Sequence, residues 1–125
     1  MPGTEVVFYL DGDGTAPVLD ALRSLLAGGH RKVVARCWVR IERLAEVGHE
    51  LRRPEADYLR DGIYELRATH RRVHYRILYF FHGRRLAVLS HVIKKVDRVP
   101  DAEIDRAIAH RKRFREDTEK HTLRL

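Results

Sequence analysis

At 125 residues, 44% of them hydrophobic, the chain is sized for one domain with a core of its own, spanning 1–125, and is too short for a catalytic core plus a separate cap. A net charge of +7 and a pI near 10.0 point to a polyanionic partner: nucleic acid, an acidic protein or an anionic surface. No apolar run approaches the roughly 20 residues of a membrane span, MPGTEVV has neither the basic nor the apolar region of a secretion signal, and the single Cys37 can form no internal disulfide. These features predict a cytoplasmic protein with no membrane partner.

Glu5 to Leu10 reads as a strand of β-branched and aromatic residues. Asp11-Gly-Asp-Gly is a turn composition, Thr15 a natural N-cap, and Pro17 sits early in the helix that follows. Val18, Leu19, Leu22, Leu25 and Leu26 form its apolar stripe, which Gly28-Gly29 ends. A second helix is predicted from about Arg31 to Val47, with Val34, Cys37, Trp38, Ile41 and Leu44 inward and Gly48 as C-cap. Cys37 lies on that stripe and is expected to be a core residue, not a catalytic thiol. His49 to Gly62, containing Pro54, reads as a polar connection.

Three strand-like runs follow: Ile63 to Thr69, Val73 to Phe81, and Leu86 to Ile93. Links as short as His70-Arg71-Arg72 and His82-Gly83-Arg84 favour an antiparallel meander, because a parallel crossover needs a dozen or more residues. Pro100 opens a last helix with Ile104, Ala107 and Ile108 inward, and Arg111 to Leu125 is charged enough to be expected to fray. The predicted fold class is α+β: an N-terminal strand, two helices packed on one face of an antiparallel sheet, and a C-terminal helix.

VVFYLDGDGT resembles the nucleophile strand of haloacid-dehalogenase-like phosphatases. That chemistry needs later carboxylates to complete a Mg²⁺ site, and no DD or GDxxxD follows a later strand. Its fold needs parallel strands joined by helices, whereas the second half of this chain is hairpins. An EF-hand also fails, lacking the later ligands. The segment is therefore expected to be a structural turn, and neither metal nor cofactor is predicted.

Basic residues inside the strands are more informative, because a charge in a core-facing position is costly. Alternation puts Glu65 and Arg67 on one face of IYELRAT, and His74 and Arg76 on one face of VHYRILYFF. If the strands are neighbours, Arg67, Arg76 and the strand-end pair Lys94-Lys95 converge, and an anion such as phosphate would relieve their repulsion. A solvated basic face, with Arg67 paired to Glu65 or Glu5, is the competing expectation. Leu78 and Phe80 share the Arg76 face, so its far end is expected to be apolar and covered by the C-terminal helix.

YLRDGIYELR, YRILYFF and LSHVIKKVDRVPDAEIDRA, in that order and spacing, resemble the phage-derived branch of the RelE/HigB toxin superfamily, and VVFYLDGDGTAPVLDAL resembles the start of that branch. The resemblance spans about residues 5 to 110. It implies a type II toxin–antitoxin toxin, a basic, metal-independent endoribonuclease that cuts mRNA on the ribosome and is neutralised by a cognate antitoxin, expected to be a helix-turn-helix protein. In such enzymes the RNA 2′-OH attacks the adjacent phosphate, and the protein stabilises the charge that develops and protonates the leaving 5′ oxygen. By the match, Arg76 and Lys95 fall at the phosphate-stabilising positions, and Arg67, Lys94, Arg71 and Arg72 would position RNA. No tyrosine follows Tyr79, where many relatives carry an acid/base residue, so His91 is the nearest candidate for that role. Glu65 stands where a second lysine is usual. These departures leave a second reading open: a non-enzymatic nucleic-acid-binding or interaction module of the same fold.

Overall fold

The computed structural model describes residues 3–95 and 97–125, the side chain of Lys95 lying outside the described residues. The elements run β1 (Glu5–Tyr9), α1 (Pro17–Ala27), α2 (Arg31–Val47), a 3-10 turn (Gly48–Glu50), β2 (Ala56–Arg60), β3 (Ile63–His70), β4 (Val73–His82), β5 (Leu86–Lys95), α3 (Asp101–Glu116) and β6 (Thr122–Leu123). The strands form one sheet in the order β2-β3-β4-β5-β1-β6. The meander β2 to β5 is antiparallel, β1 lies parallel to β5, and β6 lies antiparallel to β1. The architecture is the α+β arrangement that the sequence predicts.

Alternation along each strand divides the apolar residues between two faces. On one, α1 packs over β5 and α2 over β3, burying Phe8, Leu22, Cys37, Leu44, Leu66 and Ile77. Burial pushes the Cys37 thiol up to about 11, as suits a core residue and not a nucleophile. On the other face α3 covers Val7, Leu78, Phe80 and Val88 with Ile104, Ala107 and Phe114. The far end of the Arg76 face is thus apolar and helix-covered, as Leu78 and Phe80 require. Full burial of side chains such as Phe114 contributes roughly 1.5–3 kcal/mol each.

Three local expectations are corrected. The stretch read as a polar connection contains β2, an edge strand whose Ala56 and Asp57 pair with Leu66 and Glu65. Its polarity is that of an exposed edge, which charged residues protect from further pairing. The tail expected to fray instead continues α3 to Glu116 and returns as β6 against Phe8 and Tyr9. His121, 7% exposed, pins it through Nδ1 to the Leu10 carbonyl at 2.7 Å. Finally, the N-cap of α1 is Ala16, not Thr15, and the Asp20 carboxylate accepts from the Ala16 N–H at 3.0 Å.

Gly48 caps α2 at φ 63°, ψ −131°, and an added Cβ would collide with the Thr4 hydroxyl. Gly48→Ala is therefore expected to destabilise the fold by about 1–3 kcal/mol, read as a lower urea midpoint with an unchanged denaturant slope.

Candidate functional site

The acidic glycine turn is structural in its bonding. Asp13 Oδ1 accepts from the Thr15 N–H at 2.9 Å and its hydroxyl at 2.7 Å, and these bonds lower the Asp13 pKa. Asp11 Oδ1 accepts from the Tyr9 hydroxyl and the Gly12 N–H at 3.1 and 3.0 Å. Among the described residues no group of three or more His, Cys, Asp or Glu side chains is placed to hold a metal ion.

Arg67 and Arg76 stand directly opposite each other across β3 and β4. Two like charges in that position repel, and the fold resolves this with Glu65. Arg67 Nε donates to Glu65 Oε1 at 3.1 Å, and Arg76 Nε lies 3.5 Å from Glu65 Oε2. Asp57 on β2 adds a second carboxylate, 3.5 Å from Arg67 and 2.7 Å from Arg53. The cluster is therefore an interleaved ion-pair network, not a patch of bare cations.

Burial is uneven within it. Glu65 is 1% exposed and Arg76 8%, whereas the Arg67 side chain is 31% exposed. Arg76 also donates through Nη1 to the Asp97 carbonyl in the link between β5 and α3. It thus ties the sheet to that link, and Arg67 carries the accessible guanidinium. The Arg76 Nε and Glu65 Oε2 atoms are buried and have no hydrogen-bond partner among the described residues.

The other expected residues scatter. The register pairs Arg76 with Ile93 and Tyr75 with Lys94, so Lys94 lies on the opposite face from Arg76, its Nζ 5.9 Å from the centre of the Tyr75 ring. The expected convergence of Lys94 with Arg76 is corrected on this ground. Lys95 pairs with His74 in the same register; its side chain lies outside the described residues. Arg71 and Arg72 form the exposed β3–β4 turn, both at positive φ, 50° and 68°.

His91 does not face this cluster. A bulge in β5 sets Leu78 opposite His91 and Tyr79 opposite Leu89, leaving Ser90 as the extra residue. The Ser90 and His91 side chains both reach α3, where Ser90 Oγ lies 2.9 Å from His91 Nδ1 and 2.7 Å from His110 Nδ1, and His91 Nε2 3.1 Å from Glu103 Oε1. Burial first, then the Arg106 charge, pushes the His91 pKa down to about 4. Burial, then His91 and Arg106, does the same to His110, also to about 4. Both rings are therefore neutral at pH 7, and one set of tautomers satisfies the chain. His91 Nε2–H donates to Glu103, the Ser90 hydroxyl donates to His91 Nδ1, and His110 Nδ1–H donates to Ser90 Oγ. His110 also stacks on Tyr9 with ring centres 4.1 Å apart. His110 and His121 are both buried, at 3% and 7% exposed.

The histidine that shares the Arg76 face and keeps solvent access is His74. It is half-buried, with Nδ1 3.0 Å from the Thr69 hydroxyl. Its position two residues before Arg76 was legible in the sequence; the cover of α3 that buries His91 on that same face was not.

The α+β scaffold thus carries two arginines interleaved with carboxylates at one end of the sheet face that α3 covers at the other, in a small basic domain. The pattern of the phage-derived Gp49-like proteins (DUF891) matches residues 25–112, and the chain belongs to that family, which is known for toxins of toxin–antitoxin systems. No curated protein matches the chain. Among the described residues no helix is long and apolar enough to cross a membrane.

Proposed function

We propose that the protein is the toxin of a type II toxin–antitoxin system of the RelE/HigB kind, a cytoplasmic endoribonuclease that cuts mRNA on the ribosome without a metal. A cognate antitoxin, a helix-turn-helix protein, would silence it. The observation that carries this reading is Gp49-like membership across residues 25–112, and the arginine-bearing sheet end supports it. In this reading Arg67 meets the scissile phosphate with its exposed guanidinium. Arg76 adds positive potential from behind and braces Glu65. Lys95 keeps the phosphate-stabilising role that the family resemblance implies. His74 replaces His91 as the group that moves a proton, because it lies on the Arg76 face, keeps solvent access and is an imidazole, which can both take and give a proton. The bond changes balance without a cofactor: the 2′ oxygen bonds to phosphorus, the P–O5′ bond breaks, and the proton lost from the 2′-OH is matched by one delivered to O5′.

The test is induced expression, with growth and the 5′ ends of cellular mRNA followed together. Growth arrest with new 5′ ends inside translated messages is expected. A well-expressed, folded protein that produces neither result defeats the proposal. One observation favours the second reading, a non-enzymatic binding module: Glu65 occupies the centre of the arginine pair and offsets charge that a developing phosphodianion would need. RNA binding with no new 5′ ends would select that reading.

A further inference from the structure

The positive charge of the chain is unevenly matched. Along β2 and the outer side of α3, arginines have carboxylate partners, as Arg53 has Asp57 at 2.7 Å and Arg60 has Asp105 at 2.8 Å. Where the first turn of α2 faces the β3–β4 turn, the matching stops. Arg31, Lys32, Arg36, Arg71 and Arg72 are all exposed, and none forms an ion pair among the described residues. Arg31, Lys32, His70 and Arg71 line an open groove of about 690 Å³ between these two elements. Arg36, one helical turn beyond Lys32, extends this basic edge and donates to the Thr69 carbonyl at 2.6 Å.

Three independent features show that this arrangement is costly, two of them electrostatic and one a matter of backbone conformation. Arg31 and Lys32 occupy the first turn of a helix, where the macrodipole already places positive charge and acidic residues are favoured. Arg71 and Arg72 take the two left-handed positions of a tight turn that Asn-Gly would occupy without strain. The His70 imidazole is held below its ordinary value by partial desolvation and by the charges of Arg36, Arg71, Lys32 and His30. A bound polyanion relieves the electrostatic costs.

We infer that this groove is an RNA-backbone docking surface, separate from the Arg67–Arg76 cluster and reached around the tip of the β3–β4 turn. The inference rests on the reading of the protein as RNA-directed. The lining favours RNA over an acidic protein: its apolar residues are Val33, 2% exposed, and Ala35, with no large apolar side chain available as an anchor. Protein interfaces are built around buried aromatic or aliphatic anchors, whereas phosphate contacts need only placed cations. The groove lies on the α2 side of the sheet and Arg76 on the α3 side, so a strand touching both must pass Arg71 and Arg72. Lys94, on the Tyr75 face at the same end of the sheet, lies along that course.

The test is binding of the purified chain to a labelled single-stranded RNA of mixed sequence, measured by anisotropy across a salt series. The combined variant Arg31→Gln, Lys32→Gln, Arg71→Gln is expected to bind about 10- to 100-fold more weakly, and its log–log salt slope to be shallower by about 2, near 0.7 per phosphate contact. Arg60→Gln, which removes a carboxylate-paired arginine, is expected to change affinity less than about twofold. Circular dichroism verifies that both variants are folded, and in the wild type RNA should raise the titration midpoint of His70 followed by NMR. Wild-type affinity and slope in the combined variant overturn the proposal. So does retention of RNA binding together with loss of binding to the product of a neighbouring antitoxin gene, which would make the groove a protein interface. Groove-dependent RNA binding by a protein that arrests no growth leaves this surface standing and removes the nuclease; arrest by a protein that binds no RNA through the groove does the reverse.

Discussion

Arg76→Ala is expected to lower the stability of the protein by about 3–5 kcal/mol, the cost of removing one partner from a buried ion pair. Glu65, 1% exposed, would keep only Arg67, and the guanidinium facing its Oε2 would be gone. The sheet would also lose its tie to the Asp97 carbonyl. Loss of toxicity in this variant would therefore say nothing about chemistry on its own. The paired replacement Glu65→Leu with Arg76→Met removes both charges and fills similar volume, and is expected to recover most of the stability. If Arg76 also supplies potential to the phosphate, the repaired protein stays inactive although folded. Urea unfolding of the wild type and the variants, with toxicity scored in parallel, separates the two effects. A midpoint unchanged by Arg76→Ala would refute the buried pair as the determinant.

Acid is expected to weaken the fold in two separate steps. His91 and His110 sit near 4 in the folded protein against an ordinary 6.5. For a base with a depressed folded value, the unfolded chain binds the proton first. Stability is then full above pH 6.5, falls as pH drops toward 4, and levels below it. At about 1.4 kcal/mol per unit, each ring contributes a loss of roughly 3 kcal/mol, and because the rings share Ser90 the two losses are not simply additive. The carboxylates act lower. Arg43 holds Glu55, and Arg53 holds Asp57, below their ordinary 4.5 and 3.8, so what they contribute is present above those values and lost as pH falls through the lowered ones. Urea midpoints from pH 7 to 3 should show the histidine slope first. A His91→Gln, His110→Gln protein should show a much reduced slope between 6.5 and 4; an unchanged slope would refute the neutral-histidine chain.

Most elements were legible because their signals are local. The helices announced themselves by apolar stripes ended at Gly28-Gly29 and Gly48, and the hairpins by links of a few residues. The Arg76 face was read correctly as apolar at its far end, since Leu78 and Phe80 had to be covered. What escaped depends on long-range pairing. β2 is polar because it is an edge, and only its register with β3 identifies it as a strand. Ser90 is the bulged residue in β5, and without it strict alternation puts His91 and Ser90 on opposite faces. Arg76 reads as a solvent-facing arginine until Glu65, eleven positions earlier in the chain, is seen to share its pocket. The parallel placement of β1 beside β5 and the return of the tail as β6 carry no local signature at all.

That placement has a consequence for how the molecule is made. β1 is synthesised first, yet its neighbours in the sheet are β5 and β6, and β6 comprises Thr122 and Leu123. As the chain emerges, an apolar strand with open edges must wait for β5 before its first sheet partner exists, and for the last residues of the described chain before its second edge closes. The Glu5–Arg124 ion pair at 2.8 Å joins the two ends only then. Such late, non-local closure is slow and exposes sticky edges. The unfinished polypeptide is therefore expected to engage chaperones, and its yield in a cell to depend on elongation rate as well as on the stability of the finished fold.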